Sequence, residues 1–154
     1  TLEHTIEISG VDPSLLEMEV TESFIMNDPE RWIALLKQMQ ALGVSIAIDD
    51  FGTGHSSLSY LRKLPIDKLK VDMSFVKDIP QREDACAIVN SIIDLAHNMK
   101  IATLAEGIET KEQERYLQEH GCEQGQGYLY AKPMNLKDLK VWMMNRQKES
   151  CKNP

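Results

Sequence analysis

A parallel α/β sheet built from five successive β-α units is the fold this sequence predicts. Three observations carry that expectation. Short apolar runs begin near residues 16, 44, 68, 101 and 125. Longer stretches between them repeat apolar residues with the 3.6-residue period of a helix. Repeated alternation of this kind gives a parallel sheet with right-handed crossovers.

Each element has a local reason. Leu2 and Ile6 mark the end of a helix over residues 1–9, stopped by Gly10 and with no start signal before it. The sequence is therefore expected to begin inside an element. Leu16–Val20 reads as the first strand. Asp28-Pro29 opens a helix, with an acid at the N-cap and proline at the first helical position. Trp32, Leu35, Leu36, Met39 and Leu42 form its apolar stripe, and Gly43 fits its stop. Val44–Ile48 is a buried strand. Ser57–Leu64 is a short helix ended by Pro65. Lys68–Val71 is the third strand, and Arg82–Lys100 a long helix with Ala85, Val89, Ile92 and Ala96 on one face. Ile101–Ala105 is the fourth strand. Thr110 and Gln113 form a capping-box pattern for a helix ending near Gly121. Gly125–Leu129 is the last strand. Asn135 caps a final helix that frays from Gln147.

Composition bounds the function. A chain of 154 residues, 42% hydrophobic and 27% charged, is an ordinary globular domain with one core. No apolar run is long enough to cross a bilayer, and the N-terminus lacks the basic and apolar regions of a signal peptide. A cytoplasmic segment without membrane contact is expected, any anchor belonging elsewhere in the parent protein. The formal net charge of −7 argues against a grip on long nucleic acid. Cys86, Cys122 and Cys151 make no CxxC pair and read as reduced thiols rather than a zinc site.

The chemistry collects at the strand ends. The first strand gives Glu19 and Glu22, the second Asp49 and Asp50, the third Lys70 and Asp72, the fourth Glu106 and Glu109, and the fifth Gln126. In a parallel sheet those ends point one way, toward the face where α/β proteins place their sites. So many ionised carboxylates cannot share a small volume unless cations neutralise them. Hard oxygen ligands without a Cys or His cluster point to Mg²⁺ or Mn²⁺. The adjacent acids Asp49 and Asp50 suit two metals bridged by one carboxylate. Taken singly, each residue has a plainer reading. An acid at a strand end is as readily a helix N-cap or a solvated charge. Lys70 fits an edge-strand gatekeeper, and Gly52 and Gly54 fit turn glycines. Five strand ends carrying coordinated chemistry are harder to explain that way.

The same residues resemble a family. Glu19-Val20-Thr21-Glu22 resembles an E-x-T-E motif, and Asp49-Asp50-Phe51-Gly52-Thr53-Gly54 with Ser56-Ser57-Leu58 resembles a DDFGTGxSSL loop. Leu64-Pro65-Ile66-Asp67 with Lys70-Val71-Asp72 resembles LPxDxxKxD, and Ala105-Glu106-Gly107-Ile108-Glu109 resembles A-E-G-[VI]-E. Gly125-Gln126-Gly127-Tyr128 and Lys132-Pro133 complete the set. In order and spacing the five are similar to the EAL domain, a modified TIM barrel that hydrolyses cyclic di-GMP to linear pGpG in bacterial second-messenger signalling.

The resemblance implies a partial TIM-type barrel and a role for each residue. Glu19 and Asp49 would bind a first metal, Asp49 bridging to a second. Asp50 would serve the second metal or its water. Lys70 would hold or polarise the attacking water, and Glu106 would be a metal ligand or the general base. Asp72, Glu109 and Gln126 would complete the water network and the guanine-phosphate contacts. Glu22 would anchor the 50–58 loop, where Gly52 and Gly54 permit tight turns and Ser56 and Ser57 supply hydrogen bonds. Two ions of Mg²⁺ or Mn²⁺ per complete site would lower the pKa of a water and offset phosphoryl charge.

The family's first glutamate ligand, in the E-A-L segment, and an asparagine ligand lie upstream of Thr1. Residues 1–154 are thus expected to be the C-terminal part of an EAL domain, with little turnover alone. An uncovered edge at Leu16–Val20 would favour self-association or a homodimer. Two other readings compete. One is a non-catalytic module that binds cyclic di-GMP or a partner protein. The other is a phospho-acceptor receiver domain, imitated by Asp49-Asp50, Asp72 and Lys132-Pro133, which leaves E-x-T-E and A-E-G-I-E without a task.

Overall fold

The computed structural model describes residues 1–53 and 58–150. Gly54, Ser56, Ser57 and Cys151 lie outside the described residues. Five parallel strands form one sheet in sequence order: β1 Glu17–Thr21, β2 Ser45–Phe51, β3 Lys68–Val71, β4 Ala102–Ala105 and β5 Gln124–Gly125. This is the predicted α/β architecture, a run of β-α units of barrel type. β3 lies at the centre of the sheet and β1 at one edge.

The helices are α1 Leu2–Ser9, α2 Glu22–Met26, α3 Pro29–Ala41, α4 Leu58–Leu61, α5 Met73–Val76, α6 Glu83–Met99, α7 Lys111–Glu119 and α8 Leu136–Ser150. Predicted caps form at several starts. Asp28 accepts from Arg31 N, Thr110 and Gln113 close a reciprocal capping box, and Asp138 N donates to Asn135 Oδ1. Gly10 ends α1 in the left-handed conformation.

Three expectations need correction. The helix at the N-terminus carries a capping contact within the sequence, because the Thr1 hydroxyl accepts from His4 N. The fourth helix covers only Leu58–Leu61 among the described residues. The last strand stops at Gly125 rather than running to Leu129. Its continuation pairs with the loop after β4 instead: Ile108 N donates to Gln126 O, and Leu129 N to Ile108 O. At the other end of the chain, α8 continues as helix to Ser150, past the expected fraying point.

Side chains alternate across the sheet. One face presents Ile46, Ile48, Leu69, Val71, Thr103 and Ala105, all buried. α3 covers it at β2, and α6 covers it at β3 and β4. Leu36, Val89, Ile93 and Ala96 supply the helix side of that core. The opposite face carries Glu17, Glu19, Asp49, Lys68 and Lys70. Register lines these up, since Glu19 pairs with Ala47 and Ala47 with Lys68. Lys68 reaches across β2 to Glu17 at 2.6 Å.

Asp67 sets the register at the other end of the strands. Its backbone N–H donates to Ile46 O at 2.9 Å, and its Oδ2 accepts from Ile46 N at 2.9 Å. Its carbonyl accepts from Ala102 N at 2.9 Å. One residue thereby ties the starts of β2, β3 and β4, which fixes the level at which their far ends meet. Leu69 is fully buried in the middle of this core. Leu69→Ala is expected to lower stability by about 2–5 kcal/mol, through lost burial and the cavity left behind. Leu136, 67% exposed on α8, should tolerate alanine within about 0.5 kcal/mol. Urea unfolding of the two variants measures both.

Candidate active site

Lys70 occupies the centre of β3 and is only 3% exposed, so it is not an edge-strand residue. Its Nζ lies 2.9 Å from Glu19 Oε2 on β1, 2.9 Å from Asp49 Oδ1 on β2, and 2.8 Å from Glu106 Oε1 just past β4. An ammonium has three protons to donate. Three carboxylates from three other strands surround it. Burial alone would push the Lys70 pKa down. The bonds to Glu106, Asp49 and Glu19 outweigh that and hold it above the usual lysine value. Lys70 is therefore a fixed cation at neutral pH.

The other acids sit around this centre. One oxygen each from Asp49, Asp50 and Glu106 lies within 4.8 Å of the others. Glu19 is bound to Lys70 but stays outside that triad, with its side chain 47% exposed. Asp50 adopts a left-handed backbone, φ +53°. Few L residues take this conformation, and it persists where surrounding structure imposes it. Burial pushes the Asp50 carboxyl above its usual range, helped by the charges of Asp49 and Asp72. Asp72 moves the opposite way. Its burial is outweighed by hydrogen bonds from Ser74, whose backbone N–H Asp72 caps at 2.9 Å. Two neighbouring carboxyls thus have their proton affinities driven apart, the pattern that separates acid from base roles.

Gln126 follows β5 and donates from Nε2 to Glu106 Oε1 at 2.6 Å. Lys70 and Gln126 therefore converge on one oxygen of Glu106, which leaves Oε2 for a cation or a proton. Glu22 is buried below the loop after β2. Its Oε2 accepts from Gly52 N at 3.1 Å, and Gly52 takes φ +95°, a conformation that favours glycine. The other Glu22 oxygen is buried without a partner among the described residues. Glu109 does not join the Lys70 cluster among the described contacts. It lines a cleft of about 700 Å³ beside Glu106, with Gln126, Tyr128 and Trp142 on its walls.

The donor set is all oxygen. Carboxylate oxygens at these separations can surround a hard divalent cation with bonds of about 2.0–2.6 Å. Asp49, Asp50 and Glu106 accordingly fit a metal such as Mg²⁺, Mn²⁺ or Ca²⁺.

A family model described as "EAL domain" matches residues 1–133. The chain belongs to the EAL domain family. Among curated relatives, the cyclic di-GMP phosphodiesterase NbdA of Pseudomonas aeruginosa is 45% identical over 140 residues, covering 91% of this chain and 18% of the relative. The solved structure described as the PaMucR phosphodiesterase in complex with c-di-GMP matches with a TM-score of 0.87 and 40% identity, over 90% of this chain and 56% of that one. BlrP1 of Klebsiella pneumoniae, solved with cyclic di-GMP and manganese or calcium, matches with a TM-score of 0.79 and 36% identity, over 86% of this chain and 34% of that one. The chain thus spans 18% of its first curated relative and 56% of its first structural one. No helix among the described residues is long and apolar enough to cross a membrane.

Sequence patterns named the EAL-domain acids but missed two supporting residues. Asp67 stood in a quoted motif without a role. Gln113 was seen only as a capping residue.

The Lys70 cluster has a pH signature. A lysine whose folded pKa exceeds its unfolded one, about 10.4, adds stability that is complete below the unfolded value. That stability is lost as pH rises through the folded value. Lys70→Met, which leaves three carboxylates without their cation, should cost about 3–5 kcal/mol at neutral pH. The deficit relative to wild type should stay constant from pH 7 to about 10 and shrink above that. Urea unfolding across this range checks the size and the sign.

Proposed function

We propose that this chain is the C-terminal part of an EAL domain that hydrolyses cyclic di-GMP to linear pGpG with two divalent cations. The single observation that carries the reading is the meeting of Asp49, Asp50 and Glu106 oxygens beside a buried lysine, in a chain 45% identical to a named cyclic di-GMP phosphodiesterase. Coverage of only 56% of a matching EAL structure supports the view that the preceding strands complete the barrel.

Asp49, Asp50 and Glu106 would hold the cations, with Glu19 at the margin. Bound there, a pair of such ions would lower the pKa of a water and offset charge on the phosphoryl oxygens. The chain's own residues do the rest. Lys70 holds Glu19, Asp49 and Glu106 at one point and offsets part of their mutual repulsion before any ion binds. Gln126 fixes Glu106 through Oε1, so that Oε2 is presented to the reacting group. Burial and the charges of Asp49 and Asp72 raise the proton affinity of Asp50 before any ion binds, a cost that a bound cation would relieve, while Asp72 stays ionised beside it. The cleft beside Glu106 falls in the usual size range of small-ligand sites and has aromatic walls at Tyr128 and Trp142. It adjoins the point where a scissile phosphate would sit.

Physiological Mg²⁺ or Mn²⁺ would serve equally in such an oxygen site. The same acids would act in a cytoplasmic setting. Homodimer formation by residues 1–154 taken alone is a further part of the proposal, because β1 then leaves one strand edge open.

The test compares this chain with the same chain carried in a complete EAL domain, each given cyclic di-GMP and Mn²⁺. Turnover to pGpG is expected only in the complete domain. There, Glu106→Gln should lower kcat by at least about a hundredfold, in line with removal of a principal charged group at a reacting centre. Equal turnover by both forms would refute the incomplete-site account. Binding of cyclic di-GMP without turnover by the complete domain would favour a non-catalytic sensor.

A further inference from the structure

Gln113 lies outside the Lys70 cluster, yet it touches both loops that feed it. Its side chain is buried and all of its hydrogen-bonding capacity is directed. Oε1 accepts from Glu109 N at 2.8 Å and Thr110 N at 3.0 Å. Nε2 donates to Val76 O at 3.1 Å and Lys77 O at 3.4 Å. The first pair belongs to the loop after β4, which carries Glu106 and Glu109. The second belongs to the end of α5, the short helix capped by Asp72. One amide therefore fastens the loop of Glu106 to the loop of Asp72.

A second contact joins the same loops. Gly107 takes φ +70°, and a Cβ there would stand 2.6 Å from Met73 Cβ. The backbone after Glu106 thus passes directly over the residue after Asp72. Ordinary capping needs only the acceptor oxygen of Gln113. Its two bonds to Val76 and Lys77 have no part in capping α7. They cross from one strand-end loop to the next.

We propose that Gln113 is a positioning residue of the EAL site, setting the distance between Glu106 and the Asp50–Asp72 pair through its amide donor. The proposal rests on the functional reading above. A glutamate at this position could still accept from Glu109 N and Thr110 N, as in the alternative form of a capping box. It would lose the donor toward Val76 O and Lys77 O. Gln113→Glu therefore removes the bridge and keeps the cap. Thr110→Ala does the reverse, removing the hydroxyl that accepts from Gln113 N at 3.2 Å while leaving the bridge.

The experiment uses the complete EAL domain. Mn²⁺ affinity is measured by electron paramagnetic resonance, thermal stability by melting, and loop order by amide hydrogen exchange. Gln113→Glu is expected to weaken Mn²⁺ binding about tenfold, the size typical when a partner behind a metal ligand is removed. It should also speed exchange across residues 106–110 and 73–77. Thr110→Ala should lower the melting temperature and leave Mn²⁺ affinity within about twofold of wild type. Because Gln113→Glu could simply unfold the domain, Gln113→Met is run beside it. Methionine keeps the volume with neither polar function, and a folded Gln113→Met domain should show the same loss of Mn²⁺ affinity. Unchanged Mn²⁺ affinity in either folded Gln113 variant overturns the proposal, as does an equal loss in Thr110→Ala. A wild-type domain that binds no Mn²⁺ overturns the functional reading itself, and with it this one.

Discussion

A buried ammonium cannot remain unpaired in a protein core, and three carboxylates cannot remain close together without a cation. Lys70 and its neighbours resolve both problems at once. Glu19, Asp49 and Glu106 come from separate strands or strand ends and each reaches the same nitrogen within 2.9 Å. Everything else in the fold serves to keep those strand ends level. The buried face of Ile46, Ile48, Leu69 and Val71 holds the sheet to its helices. Asp67 locks the register at the opposite end. A slip of one residue in β3 would turn Lys70 into the helix layer and Leu69 into the acids.

From that constraint the chemistry of the site follows. The lysine uses one oxygen of each carboxylate and leaves others available. Gln126 reinforces the choice at Glu106. Asp50 and Asp72 differ in proton affinity because one is buried, with acids beside it, and the other is held by Ser74. A cluster of this kind is ready for hard cations without being built by them. Its match to the EAL domain over residues 1–133 places that readiness in a family whose curated relatives include cyclic di-GMP phosphodiesterases.

Much of this was legible in the sequence. Strand positions followed from apolar runs, because buried parallel strands carry few polar residues until their ends. The convergence of Glu19, Asp49, Lys70 and Glu106 followed from parallel topology alone. Other features depended on contacts between segments far apart in sequence, which periodicity does not encode. The last strand broke off at Gly125 because Gln126 and Leu129 find backbone partners around Ile108. Glu22 starts a short helix and turns its carboxylate to Gly52, within the loop that the resemblance gave it to anchor. The number of acidic neighbours around Lys70 could be counted only in three dimensions. Gln113 showed its capping half in the pattern T-x-x-Q, while its second half faces α5, thirty-six residues or more away in sequence.

Anomalous diffraction from crystals of the complete domain grown with Mn²⁺ gives the most direct test of the central idea. Manganese peaks are expected within coordination distance of Asp49, Asp50 and Glu106, with the Lys70 ammonium alongside. Peaks only at other sites, or none at saturating Mn²⁺, would contradict the account.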